Sequence, residues 1–133
     1  MDTVKIIRTC LGIIWLFSGI GKFIGLNFMS NTLQNFAQTC LIPFYADFIL
    51  KFIVPNALFV IVIIGFLEII AGILILHSNI FAKAGLILAI LLNIAFLPLS
   101  IGTVFINAVF IILEVYLLRK DLSKIILKSI IKI

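Results

Sequence analysis

The sequence predicts an all-α membrane protein: a four-helix transmembrane bundle with short amphipathic helices between spans 1 and 2 and a basic amphipathic C-terminal tail. Three observations carry that prediction. Hydrophobic residues fill 65% of the 133 positions and charged residues only 11%, against about 45–50% and about 25% in soluble domains. A soluble sphere of this composition would be coated in Leu, Ile and Phe, so the bilayer is the expected solvent. The apolar positions gather into four runs, each close to the roughly 20 residues that cross hydrocarbon. Lys and Arg fall mostly at one end of those runs. The same composition argues against a disordered chain. Two Cys and one His leave too few side chains for a disulfide scaffold or a dedicated structural metal site.

The whole chain, 1–133, is expected to form a single membrane domain. Its first span is residues 6–26. A basic start and an apolar run resemble a signal peptide, but Lys22 and two aromatic residues stand where small residues would mark a cleavage site, so the segment is expected to stay as an anchor. The second and third spans, 56–76 and 80–100, are separated by the polar turn His77, Ser78, Asn79. The fourth, 101–118, follows almost without a gap. Pro98, Ser100, Gly102 and Thr103 are the only local breakers, so the tight turn belongs there. Arg119, Lys120 and Asp121 end the fourth run.

Residues 27–55 are too polar and interrupted to span. Leu33, Phe36, Ala37, Cys40 and Leu41 share one helical face, with Ser30 as the expected N-cap and Pro43 as the stop. Phe44, Phe48, Ile49 and Phe52 line a second face, and Pro55 is expected to separate that helix from the second span. Both helices should lie at the outer surface or dip over the bundle as a lid. In the tail, 119–133, Lys120, Lys124, Lys128 and Lys132 recur every four residues, while Leu122, Ile125, Ile126, Ile130 and Ile133 fall mainly on another side. That pattern suits anionic lipid headgroups or docking on a partner.

Four spans bring both termini to one side. Lys5, Arg8, Lys83, Arg119, Lys120, Lys124, Lys128 and Lys132 collect there, and only Lys22 and Lys51 lie on the other. The positive-inside rule then puts both termini in the cytoplasm of a bacterial-type inner membrane. On this reading the net charge of +5 reports topology and implies no nucleic acid.

Ionisable groups at membrane depth mark candidate sites, because they are costly there. Glu68 is the strongest, near the middle of the second span, with Gly65 and Gly72 on its face. Small residues pack against other helices, so Glu68 should point into the bundle. It is open to three roles: binding a proton, donating to a quinone or substrate oxygen, or bridging to a cation. At about 1.5 Å rise per residue, Arg8 comes out about 10 Å inward of its span centre and Lys22 about 10 Å outward. Arg8 with Glu114 is therefore the first expected ion pair. Lys22 is expected to snorkel, meeting Glu68 only by a shift of the span boundaries or through Ser18 and water. Asn93 and Asn107 fall at similar depth in consecutive spans and are expected to bond to each other. Gly19, Gly21 and Gly25, with Gly21-x-x-x-Gly25, and Gly85 are further packing candidates. Trp15 sits mid-span and should pack inside.

No complete acid–base, nucleophile or metal constellation is present, so no catalytic residue and no metal ligand is predicted. Cys10 and Cys40 fall at opposite membrane faces, and no C-x-x-C supports thiol redox chemistry.

Arg8-x-x-Leu11-Gly12 and Leu16-Phe17-Ser18-Gly19-Ile20-Gly21-Lys22-Phe23 resemble the opening of the DoxX-like family. Glu68-Ile-Ile-Ala-Gly72-Ile-Leu74 resembles that family's second-helix signature. The resemblance covers nearly the whole chain in span number and spacing. It implies a four-helix membrane bundle and an accessory or anchoring subunit of a quinone-linked respiratory or oxidoreductase complex. Arg8, Ser18, Gly19, Lys22, Glu68 and Gly72 are the positions that carry over. It implies no covalent cofactor, a quinone or lipid as ligand, and a larger membrane complex as partner, with a homo-oligomer as another assembly. The alternative is an independent small transporter or ligand-binding bundle that uses Glu68 as its proton or substrate site.

Overall fold

The computed structural model describes residues 2–77 and 80–131, with side chains through Lys120. It is helical over nearly all of its length, with no strand among the described residues. The helices are α1 (Thr3–Ile24), α2 (Leu26–Thr39), α3 (Pro43–Phe48), α4 (Ala57–Leu76), α5 (Ile80–Phe96) and α6 (Ile101–Ile131). Four segments, Thr3–Ile24, Pro43–Leu76, Ile80–Leu99 and Ile101–Lys120, are long and apolar enough to cross a membrane. Their outward faces are greasy: Ile24 is 84% exposed and Phe17 and Phe105 are each 70% exposed. No aqueous surface tolerates such a continuous apolar belt. The chain is a multi-pass, all-α membrane protein.

Four antiparallel crossings build the bundle, in the order α1, α4, α5, α6. The α1–α4 contact is the most extensive, and glycines explain it. A Cβ on Gly19 would stand 2.6 Å from the Gly65 carbonyl oxygen, and one on Gly72 would stand 2.8 Å from that of Gly12. Both helices therefore carry glycines seven residues apart on the facing side, and the backbones touch where side chains would hold them apart. Gly85 repeats the device on α5, its would-be Cβ 2.7 Å from the Ile75 nitrogen. Gly21 meets nothing within 4 Å, and Gly25 meets only the carbonyl of Gly21 in its own chain segment. The expected Gly21-x-x-x-Gly25 seam is thus no interface in this fold. Gly12, about three turns of helix away, takes the role instead.

Several boundaries differ from expectation. The first span shifts to Thr3–Ile24 because the chain breaks at Gly25, where α2 begins at once. Ser30 lies inside α2 and caps nothing; no breaker stands between it and Gly25. Helix α2 ends at Thr39, before Pro43, which opens α3 instead. Proline is well suited to a first turn, where its missing N–H has no helical partner anyway. Pro55 does not separate α3 from α4. Proline removes an N–H and crowds the carbonyl four residues back. The chain absorbs this with a widened π turn over Ile49–Ile53 and a 3-10 turn over Val54–Asn56. The Asn56 amide donates to the Phe52 carbonyl at 3.0 Å, satisfying one group that the irregularity frees.

The segment between α1 and α4 folds back over the bundle as the lid form of the expectation. Three bonds pin it to the α5–α6 turn. Tyr45 donates its hydroxyl to the Ala95 carbonyl, Thr39 donates to the Leu99 carbonyl, and the Leu41 N–H donates to the Pro98 carbonyl, each at 2.9 Å. Ala37, Ile49 and Leu99 form a small buried cluster beneath them. Of the expected second apolar face only Ile49 is buried; Phe44, Phe48 and Phe52 stay exposed. At the turn itself, Ser100 caps α6. The Thr103 N–H donates to Ser100 Oγ at 3.2 Å and the Ser100 N–H donates to Thr103 Oγ1 at 2.8 Å, a reciprocal cap that uses Thr where Glu is usual.

The backbone of α6 runs unbroken through Arg119 to Ile131. No separate tail helix starts at 119, because nothing in Arg-Lys-Asp breaks a helix. The amphipathic pattern of Lys124 and Lys128 concerns side chains outside the described ones, and Lys132 lies outside the described residues altogether.

Candidate functional site

Glu68 sits on α4 beside the α1 crossing, 1% exposed. Lys22 reaches it directly, its Nζ 2.6 Å from Oε2 and 2.7 Å from Oε1. Ser18, one turn before Lys22 on the same helix, donates to Glu68 Oε2 at 3.0 Å and accepts from Lys22 at 3.3 Å. The three side chains close a small triangle in which both carboxylate oxygens are engaged. This ion pair links α1 to α4.

The depth estimate pointed to a different pair, and the direction of side chains explains the error. The facing glycines put Glu68 level with Leu16, so Lys22 lies six residues farther out, about 9 Å along the axis. Every helical side chain leans toward its own N-terminus. On antiparallel helices Lys22 therefore leans inward and Glu68 leans outward, and the two converge. By the same rule Arg8 leans away from the membrane middle and Glu114 leans away from Arg8. The expected Arg8–Glu114 pair does not form.

Glu114 is fully buried and belongs to a second cluster. Trp15 Nε1 donates to its Oε1 at 3.0 Å, and Asn93 Nδ2 donates to Oε1 at 3.0 Å and to Oε2 at 2.9 Å. One carboxyl group thus ties α1, α5 and α6 through neutral N–H donors. The expected Asn93–Asn107 bond is replaced by this one. Asn93 and Asn107 lean in opposite directions from a shared depth, so Asn93 meets the residue two turns farther along α6. Asn107 is buried without a hydrogen bond to any described protein group.

A cavity of about 360 Å³ lies between the clusters, within the roughly 300–1,000 Å³ of small-molecule sites. Ser18, Lys22 and Glu68 supply polar groups on the α1–α4 side, and Asn93 and Asn107 supply them from α5 and α6. Most of the remaining wall is apolar. Met29, Leu33 and Phe36 of α2 cover it from the end that carries the α5–α6 turn, which is where the lid's apolar face goes. Ile14 and Ile106 line the cavity and yet are 47% and 59% exposed. The cavity therefore opens sideways between α1 and α6, which touch little elsewhere, onto the surface that faces lipid.

Chemically, the site offers a largely buried cation–carboxylate pair, the hydroxyls of Ser18, Thr32 and Thr103, and two amides around apolar walls. No group of three or more His, Cys, Asp or Glu capable of holding a metal exists among the described residues. Cys10 and Cys40 are free thiols and line no part of the cavity. Sequence reasoning missed Trp15 as a polar partner, Gly12 as a packing residue, and the contribution of α2 to the cavity. The equal seven-residue glycine spacing on α1 and α4 was a readable signal for the second of these. Compared with known protein families, curated proteins and solved structures, the chain finds no match in any of the three.

Proposed function

We propose that the chain is a small membrane-embedded binding bundle that holds a lipophilic molecule with a quinone-type polar head beside Ser18, Lys22 and Glu68. The observation that carries this reading is the opening of that polar triangle onto an otherwise apolar cavity. Small-molecule sites have this composition: apolar walls for affinity and a few polar groups for orientation. A sideways opening suits a ligand that is already dissolved in the bilayer. Trp15 is the only tryptophan and lines the cavity, so it reports occupancy directly. Titrating decylubiquinone into the protein in lipid nanodiscs should quench Trp15 fluorescence saturably. Ile64→Phe, which fills part of the cavity, should abolish saturation. A linear, unsaturable quench in both proteins would overturn the reading.

A second reading, a DoxX-like accessory subunit of a quinone-linked complex, has one observation in its favour. Ser18, Gly19, Lys22, Glu68 and Gly72, which carry the resemblance, all lie along the single α1–α4 crossing. Arg8 stands apart from them. The two readings share a ligand and differ in what surrounds the bundle. Native mass spectrometry after gentle solubilisation separates them: larger partner chains favour the subunit, and the chain alone or with copies of itself favours the independent bundle.

The charge asymmetry further supports a bacterial-type inner membrane with both termini in the cytoplasm. In a background with Cys10 and Cys40 changed to Ser, Asn31→Cys on the exposed side of α2 should react with an impermeant maleimide added outside intact cells. Ser123→Cys should not. The reverse labelling would invert the topology.

A further inference from the structure

We infer that Asn107 is a ligand-binding residue, and that the molecule held in the cavity carries two hydrogen-bonding oxygens, one for the Ser18–Lys22–Glu68 triangle and one for the Asn107 amide. The inference rests on the binding-bundle reading and adds a residue and a chemical requirement to it.

Asn107 is 8% exposed, and its side chain makes no hydrogen bond with any described protein group. A buried amide without a partner costs about 1–3 kcal/mol. A structural role would give it a partner, as Asn93 has in Glu114. Yet no polar side-chain atom is sealed off without a partner among the described residues. The Asn107 amide atoms therefore face accessible space, and the cavity is the space that residue lines. An amide both donates and accepts, so it serves a carbonyl or a hydroxyl equally well. The triangle sits on α1 and α4, and Asn107 comes from α6. A ligand satisfying both must present oxygens in two directions from one compact apolar body. The lateral opening beside Ile14 and Ile106 admits such a molecule from the bilayer without exposing either polar group to water.

The test uses two probes that differ by one oxygen: 2-decyl-1,4-hydroquinone and 3-decylphenol. Binding is measured by titration calorimetry on the detergent-solubilised full chain. Asn107→Leu, which keeps the branched shape and removes the amide, should weaken hydroquinone binding about tenfold, the equivalent of one hydrogen bond to a buried group. It should leave phenol binding unchanged. Its thermal stability should not fall, because no protein bond is lost; Asn107→Ala provides the same comparison should Leu perturb the helix packing. Equal weakening of both probes, or of neither, in a folded variant would overturn the role of Asn107 while leaving the binding bundle intact. Absence of binding of either probe to the unaltered protein would overturn the binding reading, and this inference with it.

Discussion

Replacing Lys22 by Met should destabilise the bundle more than replacing Glu68 by Gln, although the two substitutions break the same pair. Removing one partner of a buried pair costs about 3–5 kcal/mol, chiefly because the other charge is left without compensation. The two stranded charges are not equivalent here. The Lys22 side chain is 18% exposed and the Glu68 side chain 2%. After Glu68→Gln, Lys22 can swing its long stem toward the nearer headgroups, and Gln still offers an oxygen to Ser18. The expected loss is at the lower end, about 3 kcal/mol. After Lys22→Met, Glu68 has only Ser18 for company and no route to water, so the loss should approach about 5 kcal/mol. The double variant should be more stable than Lys22→Met alone, since it removes the stranded charge. Thermal and denaturant unfolding in micelles, followed by far-UV circular dichroism, gives the double-mutant cycle. Additive losses, or single variants within about 0.5 kcal/mol of the parent, would mean that the contact holds nothing together.

The same asymmetry shows where sequence reasoning reaches and where it stops. The helical membrane class was legible because it depends on composition and run length, which any ordering of the same apolar stretches preserves. The α5–α6 turn was legible because Pro98, Ser100 and Thr103 supply local turn and capping chemistry. Glu68 was legible as a candidate because a carboxylate among apolar residues is conspicuous at any depth. The identity of its partner was not, because depth along a helix axis omits the lean of each side chain. Lys22 and Glu68 are separated by about 9 Å along the axis, and opposing leans close that gap. Arg8 and Glu114 were closer in estimated depth, and their leans carry them apart.

The cavity was less legible still. One of its walls comes from α2, and α2 reaches it only because Gly25 turns the chain and three bonds to the end of α5 and the α5–α6 turn hold the segment down. Those partners are about 50–60 residues apart in sequence, and no local pattern encodes such a pairing. The run through Pro55 failed as a boundary for a related reason. A proline near a helix end has two solutions, a break or a widened turn, and packing of Ile49 against Ala37 and Leu99 favours the one that keeps the chain helical.

Replacing Glu114 by Leu should loosen the half of the bundle around Trp15 and expose that indole. The Glu114 carboxyl group is the shared acceptor of Trp15 on α1 and Asn93 on α5, while α1 and α6 otherwise touch little. Leu is similar in size, so the loss is one of hydrogen bonding and not of volume. It strands the indole N–H and the Asn93 amide, each worth about 1–3 kcal/mol when buried unsatisfied, for a combined loss of about 2–6 kcal/mol. Glu114→Gln should cost less but more than nothing, because its own NH₂ group meets donors where the carboxylate offered acceptors. Adding Trp15→Phe and Asn93→Leu to Glu114→Leu should recover much of the loss, since replacing all members of a buried polar network by apolar groups of similar shape removes the stranded donors. Two readouts apply. Unfolding in micelles measures the stability of all the variants, and Trp15 emission, which comes from the only tryptophan, should shift to longer wavelength in Glu114→Leu as lipid headgroups or water reach the indole. A Glu114→Leu protein with unchanged emission and unchanged stability would show that glycine-mediated packing alone sets the bundle, with the buried carboxyl group a passenger.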